Sequence, residues 1–293
     1  MHRVTVDHTT TYRYATAVAL GSHRMMLRPR ETRDLRLLEF RLEMTPAAQV
    51  LWTHDVAGNA VASASFASPS DVLTIRATAT MELGAAAWPV FPVAASAIRY
   101  PFQYAEDDWT DLGALAVQQY DAAPGRLYDW ARSFVMSTPT DTLSLLKDVS
   151  NGVTASVAYQ SRESEGTQGP LETLDRGWGS CRDFAVLFAE AARALGFGAR
   201  IVSGYLYDPG GDLVGAGAAG STHAWVEVFV PGAGWIAFDP TNRAVGSANL
   251  IPVAVARNIR QVAPVTGSFN GSRGALLAMD VTVTVVQNKK VPI

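Results

Sequence analysis

The stretch Gly177-Trp178-Gly179-Ser180-Cys181-Arg182-Asp183-Phe184-Ala185-Val186-Leu187-Phe188 contains the sole cysteine of this 293-residue chain. Ser180 is a preferred N-cap residue, and Asp183 follows it at the spacing of a capping box in which Asp replaces Glu. The pattern therefore predicts a helix that begins at Cys181. Apolar residues fill most positions up to Leu195, and the glycine that follows is typical of a helix C-terminus, so we expect this helix to be buried on most sides.

A cysteine in the first turn of a helix has distinctive chemistry. The unpaired backbone N–H groups and the positive end of the helix dipole stabilise a thiolate, so the pKa of the Cys181 thiol should lie below its free value. The thiolate is the nucleophilic form of cysteine. A lone cysteine is also often a small buried residue without a chemical role, and a base elsewhere in the chain is needed to separate the two interpretations.

The chain beyond this helix predicts a hairpin of two strands. Residues 222–230 and 235–240 have strand composition and are separated by Pro231-Gly232-Ala233-Gly234. Because side chains alternate along a strand, a turn centred on the proline places His223 and Asp239 directly opposite each other on one face. A histidine bonded to the backbone and an aspartate that only ends a strand are the alternatives at these positions.

These three residues form a candidate catalytic set, with Cys181 as nucleophile, His223 as base and Asp239 as the group that orients the base. An imidazole held by a carboxylate keeps one tautomer, and its second nitrogen can then pair with a thiol. The other four histidines are scattered through the first 54 residues without partners at ligand spacing, so no site is predicted there.

The first third of the chain predicts β-structure. Segments with strand composition at 4–6, 11–14, 35–44 and 72–83 are separated by prolines and a Gly-Asn turn. They favour a β-sandwich-like domain over residues 1–105. A stretch rich in proline and aromatic residues closes this region, and we expect a second domain over residues 106–293.

Composition excludes several classes of function. A net charge of −3 without a basic run provides no footprint for nucleic acid or an anionic membrane surface. A single cysteine cannot form an internal disulfide, and no Cys/His cluster has zinc spacing, so we expect neither a metal nor another cofactor. No apolar segment has the length of a signal sequence or a membrane span, so the sequence predicts a cytoplasmic protein of unspecified oligomeric state.

The segment Gly215-Ala216-Gly217-Ala218-Ala219-Gly220 matches the dinucleotide-binding pattern letter for letter. That chemistry requires the glycines between a strand and a helix, whereas a strand is predicted to follow here. We interpret the segment as a flexible flap whose small residues offer few groups to hold a substrate.

Several motifs resemble the transglutaminase-like superfamily. The core motifs stand here as Gly179-Ser180-Cys181, Ser203-Gly204-Tyr205, His223-Ala224-Trp225-Val226-Glu227, and Gly234-Trp235 with Asp239-Pro240-Thr241. The N-terminal β domain of bacterial members is resembled by Tyr12-Arg13-Tyr14, Leu27-Arg28-Pro29-Arg30 and Asp55-Val56-Ala57-Gly58-Asn59, and residues 256–286 fit their closing strands. The resemblance implies an α+β fold in which a papain-like core carries the cysteine helix on an antiparallel sheet.

The resemblance also implies an activity, thiol-dependent acyl transfer on a carboxamide or peptide bond. Cys181 would attack the carbonyl, His223 would act as general base and acid, and Asp239 would orient the imidazole. A thioester would follow, with hydrolysis favoured over cross-linking. The substrate would be a peptide, a protein or a small amide, and no counterpart of the calcium site of animal members is present.

Further site residues follow from the same motifs. The backbone N–H of Cys181 is the natural donor to an oxyanion, and Trp178 and Gln160 are alternative candidates for a second donor. Tyr205 and Trp225 are assigned to the cleft. A scaffold that retains the three residues but works by binding is the alternative to an enzyme.

Overall fold

The computed structural model describes residues 2–120, 125–162, 166–216 and 220–288, and its architecture is α+β, as predicted. Its strands in chain order are β1 (His2–Met25), β2 (Leu35–Thr45), β3 (Ala48–His54), β4 (Ala60–Phe66), β5 (Ser70–Leu83), β6 (Arg99–Tyr100), β7 (Thr140–Asp141), β8 (Ala158–Tyr159), β9 (Trp178–Gly179), β10 (Ala199–Leu206), β11 (Ser221–Val230), β12 (Gly234–Asp239), β13 (Ala244–Val245), β14 (Leu250–Ala256), β15 (Val265–Asn270) and β16 (Leu276–Gln287).

The α-helices of the described residues lie in the chain between β5 and β10. They are α1 (Glu106–Leu112), α2 (Arg126–Arg132), α3 (Thr142–Ser156), α4 (Pro170–Arg176) and α5 (Cys181–Ala194), with short 3-10 turns at Ala95–Ala97, Gly113–Ala116 and Ile259–Val262. Within the described ranges, no helix is both long and apolar enough to cross a membrane.

The first sheet is antiparallel and is organised around β1. From Val4 to Arg13, β1 pairs with β5 on one edge and β16 on the other, whereas its end near Met25 pairs with β4 and β15. Because one long strand serves both sets of partners, the sheet curls over its own apolar side chains, among them Leu73 and Ile75. The predicted β-sandwich-like unit thus takes the form of one curled sheet.

The second sheet has the strand order β13-β12-β11-β10-β14 and supports α5. Phe184 and Phe188 of α5 are fully buried, and the ring of Phe188 lies 5.5 Å from that of Phe238 in β12. Burying each such ring contributes roughly 1.5–3 kcal/mol. This packing holds the first turn of α5 close to β11.

The two sheets share a continuous hydrophobic core, which includes Val4 and Met81 of the first sheet and Val226 of the second. The closing strands β15 and β16 hydrogen-bond to β1, so the tail completes the first sheet although the sequence assigned it to the second domain. The division of the chain at residue 105 stays a prediction.

Candidate active site

Cys181 is the first residue of α5, as the capping pattern predicted. The carboxylate of Asp183 accepts hydrogen bonds from the backbone N–H and the hydroxyl of Ser180, at 2.8 and 2.9 Å. The same carboxylate is fully buried and accepts from the Arg162 guanidinium at 2.9 Å and from the backbone N–H of Gln168 at 2.7 Å. These bonds fix the turn that presents the thiol.

The hairpin that carries the other two candidates has a different register from the predicted one. Pairs such as Val226 with Phe238 centre the turn on Gly232, one residue beyond the predicted centre. The prediction that His223 and Asp239 lie directly opposite each other is therefore wrong. Moving the turn centre by one residue moves each residue's cross-strand partner by two residues. His223 and Asp239 therefore stay on the same face of the sheet and meet diagonally.

His223 and Asp239 form a buried pair. Nε2 of His223 lies 2.9 Å from Oδ2 of Asp239, and the two residues are 3% and 1% exposed. Oδ1 accepts the backbone N–H groups of Thr241 and Asn242 at 3.0 and 3.3 Å, and Oδ2 accepts the side-chain amide of Asn242 at 2.8 Å. Since the carboxylate is surrounded by donors, Nε2 of the imidazole carries a proton and Nδ1 is the nitrogen left for another partner.

The thiol of Cys181 is the group that interacts with this second nitrogen. Among the described residues Nδ1 of His223 has no partner with strict hydrogen-bond geometry, yet the thiol and the ring are close enough to shift each other's pKa. We therefore describe the contact as a loose pairing, of the kind that tightens when a substrate binds. The pairing of β11 with β12 ends at Val226. Two residues earlier in β11, the backbone N–H of Ala224 donates a hydrogen bond to the sulfur of Cys181. Cys181 keeps part of its surface exposed.

The pKa shifts of the three groups favour an ion pair. Burial would raise the pKa of the Cys181 thiol, but the loose pairing with His223 and the charge of His223, followed by the N–H of Ala224 and the charge of Arg182, outweigh burial and lower it. Burial would lower the pKa of His223, but the charge and hydrogen bond of Asp239, followed by the contact with the thiol, raise it. Burial would also raise the pKa of Asp239, and the charge of His223 lowers it. Thiolate and imidazolium are therefore the favoured states.

Comparison with known proteins identifies the family. Residues 104–240 match the family model for the transglutaminase-like superfamily, and residues 4–82 match the model for the bacterial transglutaminase-like N-terminal region. The chain belongs to the transglutaminase-like superfamily. Cys181, His223 and Asp239 all fall within the segment that matches the superfamily core.

Individual proteins and one solved structure are similar to this chain over different lengths. An uncharacterized protein of Mycobacterium leprae is 26% identical over 302 aligned positions, which cover 98% of this chain and 99% of the relative. A protein-glutamine gamma-glutamyltransferase of Pseudomonas aeruginosa is 41% identical over 73 residues, or 23% of this chain and 10% of the relative. The crystal structure of a "Putative Cysteine Protease" from Cytophaga hutchinsonii shares the fold, with a TM-score of 0.75 at 19% identity over 99% of this chain and 93% of that one.

A tyrosine that the sequence analysis missed lies in the superfamily core beside the thiol. Tyr159 of β8 pairs with Gly179 of β9 in a parallel ladder just before Cys181, and its ring packs edge-on against Phe184 at 6.0 Å. Burial, followed by the charge of Cys181, raises the pKa of Tyr159 to about 12, so the hydroxyl keeps its proton at neutral pH. Strands of two residues carry no periodicity, so the sequence contained no signal for this neighbour.

The two candidates for a second oxyanion donor flank the same turn. The backbone N–H of Gln160 donates to the carbonyl of Gly179 at 2.8 Å, and its side chain is exposed. Trp178 is half-buried, and the guanidinium carbon of Arg176 lies 5.6 Å from the centre of its ring. Both residues stay candidates for the second donor.

The other two residues assigned to the cleft lie in different places. Trp225 is 1% exposed and lies beside the imidazole of His223, with ring centres 6.2 Å apart and planes inclined by 24°. Tyr205 pairs with Thr222, which places it on the opposite face from His223, and it is 2% exposed. Its hydroxyl is 3.0 Å from Nδ1 of His8. The cleft assignment of Tyr205 is therefore corrected, since this residue joins the core to the first sheet.

The close surroundings of Gly204 explain why the Ser-Gly-Tyr motif of the superfamily core contains a glycine. It pairs with His223 across β10 and β11. A Cβ atom at this position would lie 2.0 Å from the carbonyl oxygen of Ile251 and 2.8 Å from the indole of Trp225. Only a residue without a side chain leaves room for the indole that borders the imidazole.

Two cavities lie away from the three candidate residues. A groove of about 690 Å³ runs between β2 and β3 and is lined by residues such as Phe40 and Trp52, and a second cavity of about 190 Å³ lies near Phe91. Within the described part of the chain, no group of three His, Cys, Asp or Glu residues could hold a metal ion. The predicted flap at 215–220 falls partly on residues 217–219, which lie outside the described residues.

Proposed function

We propose that this protein is an enzyme that transfers an acyl group from a carboxamide or peptide bond through Cys181, with His223 as general base and acid and Asp239 as the orienting group. The observation that carries the proposal is the series of contacts from the Asp239 carboxylate through the imidazole to the thiol at the start of α5. Membership of the superfamily, and a local likeness to a protein named as a gamma-glutamyltransferase, support it. The substrate we propose is a peptide, a protein or a small amide.

In the first step, the thiolate of Cys181 attacks the carbonyl carbon of the substrate, and a C–S bond forms. The carbonyl oxygen becomes an oxyanion, and the backbone N–H of Cys181 is its proposed donor because the first residue of a helix has no intrahelical partner for its N–H. The imidazolium of His223 then donates a proton to the leaving nitrogen as the C–N bond breaks. The product of this step is a thioester and a free amine.

In the second step, neutral His223 takes a proton from water while the water oxygen attacks the thioester. The C–S bond breaks, the acid product leaves, and the thiolate and imidazolium are restored. Asp239 stays ionised throughout and holds the Nε2 proton of the imidazole in place.

We propose water rather than an amine as the usual acceptor. A lysine side chain is a cation at neutral pH, and the charge of Arg182 acts on the sulfur of Cys181. The like charge disfavours the approach of an ammonium group and does not affect water. Cross-linking is therefore the secondary activity to test.

The alternative is a scaffold that works by binding. A binding role gives no reason for a carboxylate, an imidazole and a thiol to be arranged so that the thiolate is favoured, which is why we prefer the enzyme. The cytoplasmic location stays a prediction.

The proposal is tested by alkylating the protein with iodoacetamide at pH 6, where a free thiol reacts slowly. Because the chain has one cysteine, all thiol labelling reports on Cys181, and Cys181→Ser provides the blank. We expect rapid labelling that His223→Ala slows strongly. Labelling at the rate of a free thiol, unchanged by His223→Ala, would support the scaffold. Mass measurement of an acyl adduct trapped on Cys181 in cell extract would then identify the acyl donor.

A further inference from the structure

The side chain of Asn242 connects a surface loop to the candidate catalytic residues. Its amide nitrogen donates to Oδ2 of Asp239 at 2.8 Å, the oxygen that Nε2 of His223 also approaches at 2.9 Å. Its amide oxygen accepts the backbone N–H of Val214 at 2.8 Å. Since the oxygen faces a donor and the nitrogen faces an acceptor, the partners themselves fix the orientation of this amide.

The loop at 213–216 is held by packing as well as by this bond. Leu213 and Ala216 pack against the buried cluster that contains Trp225. Gly215 has a φ of 79°, and a Cβ atom there would lie 2.6 Å from the hydroxyl of Tyr159. The loop therefore lies over Tyr159 and contacts Asn242 at the same time.

We propose that Asn242 is a positioning residue that couples the seating of the loop at 213–216 to the alignment of Asp239 with His223. This inference rests on the proposed function, because it takes the imidazole to control the state of the Cys181 thiol. Asn242 touches no reacting atom. When the loop leaves, the amide oxygen of Asn242 loses the donor that orients it, and the amide nitrogen no longer braces Oδ2.

The orientation of the Asp239 carboxylate depends on this hydrogen bond from Asn242. Oδ1 accepts hydrogen bonds from two backbone N–H groups next to it in the chain, whereas within the described part of the chain Oδ2 is held by Asn242 and by the imidazole it must orient. Without Asn242 the carboxylate can turn about its fixed oxygen and lengthen the contact with Nε2. The thiolate is then less well stabilised by the imidazolium. Substrate contacts that seat or lift the loop would thus change the reactivity of Cys181.

The test is the pH dependence of Cys181 alkylation by iodoacetamide, measured on the whole chain. Asn242→Ala removes both bonds, and Asn242→Leu removes them while keeping most of the side-chain volume. Val214→Pro removes only the loop's contribution, because proline has no backbone N–H. Asn249→Ala, at an asparagine just before β14, is the matched control. The other charged or titratable groups that act on this site, Tyr159 and Arg182 among them, are unchanged in every variant.

We expect both Asn242 variants to alkylate roughly threefold to tenfold more slowly than wild type at pH 6, with the midpoint of the pH profile moved upward, because a hydrogen bond to a charged acceptor is lost. Val214→Pro should also slow the alkylation of Cys181 when introduced into the wild-type protein, and it should cause no further slowing in the Asn242→Ala variant. Asn249→Ala should match the wild type.

Three results would overturn the inference: an unchanged profile in both Asn242 variants, no effect of Val214→Pro, or an equal effect of Val214→Pro in both backgrounds. Thermal melts of each variant identify any loss of folding, and the Leu variant decides the matter if the Ala variant unfolds. Failure of the proposed function can be distinguished from failure of this inference. If the proposed function is wrong, Cys181 of the wild-type protein itself will alkylate at the rate of a free thiol.

Discussion

Replacing Asp239 by asparagine should abolish the thiolate of Cys181 while leaving the fold intact. Oδ1 of Asp239 accepts two backbone N–H groups, so the single oxygen of an asparagine would take that position. The new NH₂ group would then face Nε2 of His223 in place of Oδ2, and the amide nitrogen of Asn242 would lose its acceptor there. A donor at this point requires Nε2 to be unprotonated, so the imidazole proton moves to Nδ1. The ring then presents an N–H to the thiol and can no longer accept its proton.

The size of the effect follows from the charge that is lost. Two unit charges about 4 Å apart attract by about 4 kcal/mol at an effective dielectric constant of about 20, which corresponds to roughly a thousandfold change in the protonation equilibrium of an imidazole. Without the imidazolium, the pKa of the Cys181 thiol rises, because burial is no longer opposed by the charge of His223. A free cysteine, with a pKa of about 8.5, is thiolate in roughly one molecule in 300 at pH 6. We expect alkylation at pH 6 to fall by about two orders of magnitude and to recover near pH 9. In serine hydrolases the corresponding exchange lowers kcat by roughly 10⁴.

The assay is the second-order rate of iodoacetamide labelling from pH 5 to pH 9, with mass spectrometry to confirm the modified residue. Asp280→Asn, an exposed aspartate on β16, is the matched control and should reproduce the wild-type profile. An Asp239→Asn protein that melts normally and still labels at pH 6 within threefold of the wild type would refute the reasoning. It would mean that Cys181 gains its reactivity from the helix terminus alone.

Three further predictions concern stability. Burial lowers the pKa of His8 from 6.5 to about 4. The buried neutral imidazole therefore contributes stability that is present above pH 6.5 and is lost as the pH falls toward 4. Urea titrations should show the free energy of unfolding decreasing by about 3 kcal/mol over this range, and His8→Gln should remove most of that pH dependence. Gly204→Ala should lower the free energy of unfolding by at least about 2 kcal/mol because its Cβ would overlap the carbonyl oxygen of Ile251. Glu190→Ala should cost about 3–5 kcal/mol because it leaves the buried guanidinium of Arg193 with backbone carbonyl acceptors but without the carboxylate, 2.5 Å away, that balances its charge.

Each of these has a result that would contradict it. A pH dependence that persists unchanged in His8→Gln would assign the acid sensitivity to other groups. A Gly204→Ala protein as stable as the wild type would mean that β14 moves freely away from β10. Glu190→Gln keeps an acceptor for Arg193 and should lose less than Glu190→Ala; equal losses would show that the side-chain volume matters and the pairing does not.

The cysteine helix was predictable because its signals are local. The capping residues, the apolar pattern and the final glycine all lie within or next to α5, and the helix begins at Cys181 as predicted. The predicted contact between His223 and Asp239 is present in the structure although the predicted strand register was wrong. A turn centre misplaced by one residue moves the partner strand by two, and strands repeat every two residues, so the face was correct although the direct opposition was not.

What the sequence did not reveal depends on contacts between distant segments. β1 is continuous from His2 to Met25, whereas short strands were predicted within it, because its pairing with β5 and β16 extends it through polar positions. Tyr205 was assigned to the cleft from its motif, but the strand register directs it to His8 on the other side of the sheet. Asn242 and Tyr159 join the site through a loop and a strand of two residues, which have no periodic pattern to detect.

The pairing of β1 with β16 has a consequence for synthesis on the ribosome. β1 emerges long before β16, yet the two are hydrogen-bonded neighbours from Val4 to Tyr14. During translation that edge of β1 lacks its backbone partners until β16 has been made, and an open strand edge is a template for pairing with other chains. Chains that terminate before β16 should therefore aggregate even though they contain every residue of the superfamily core match.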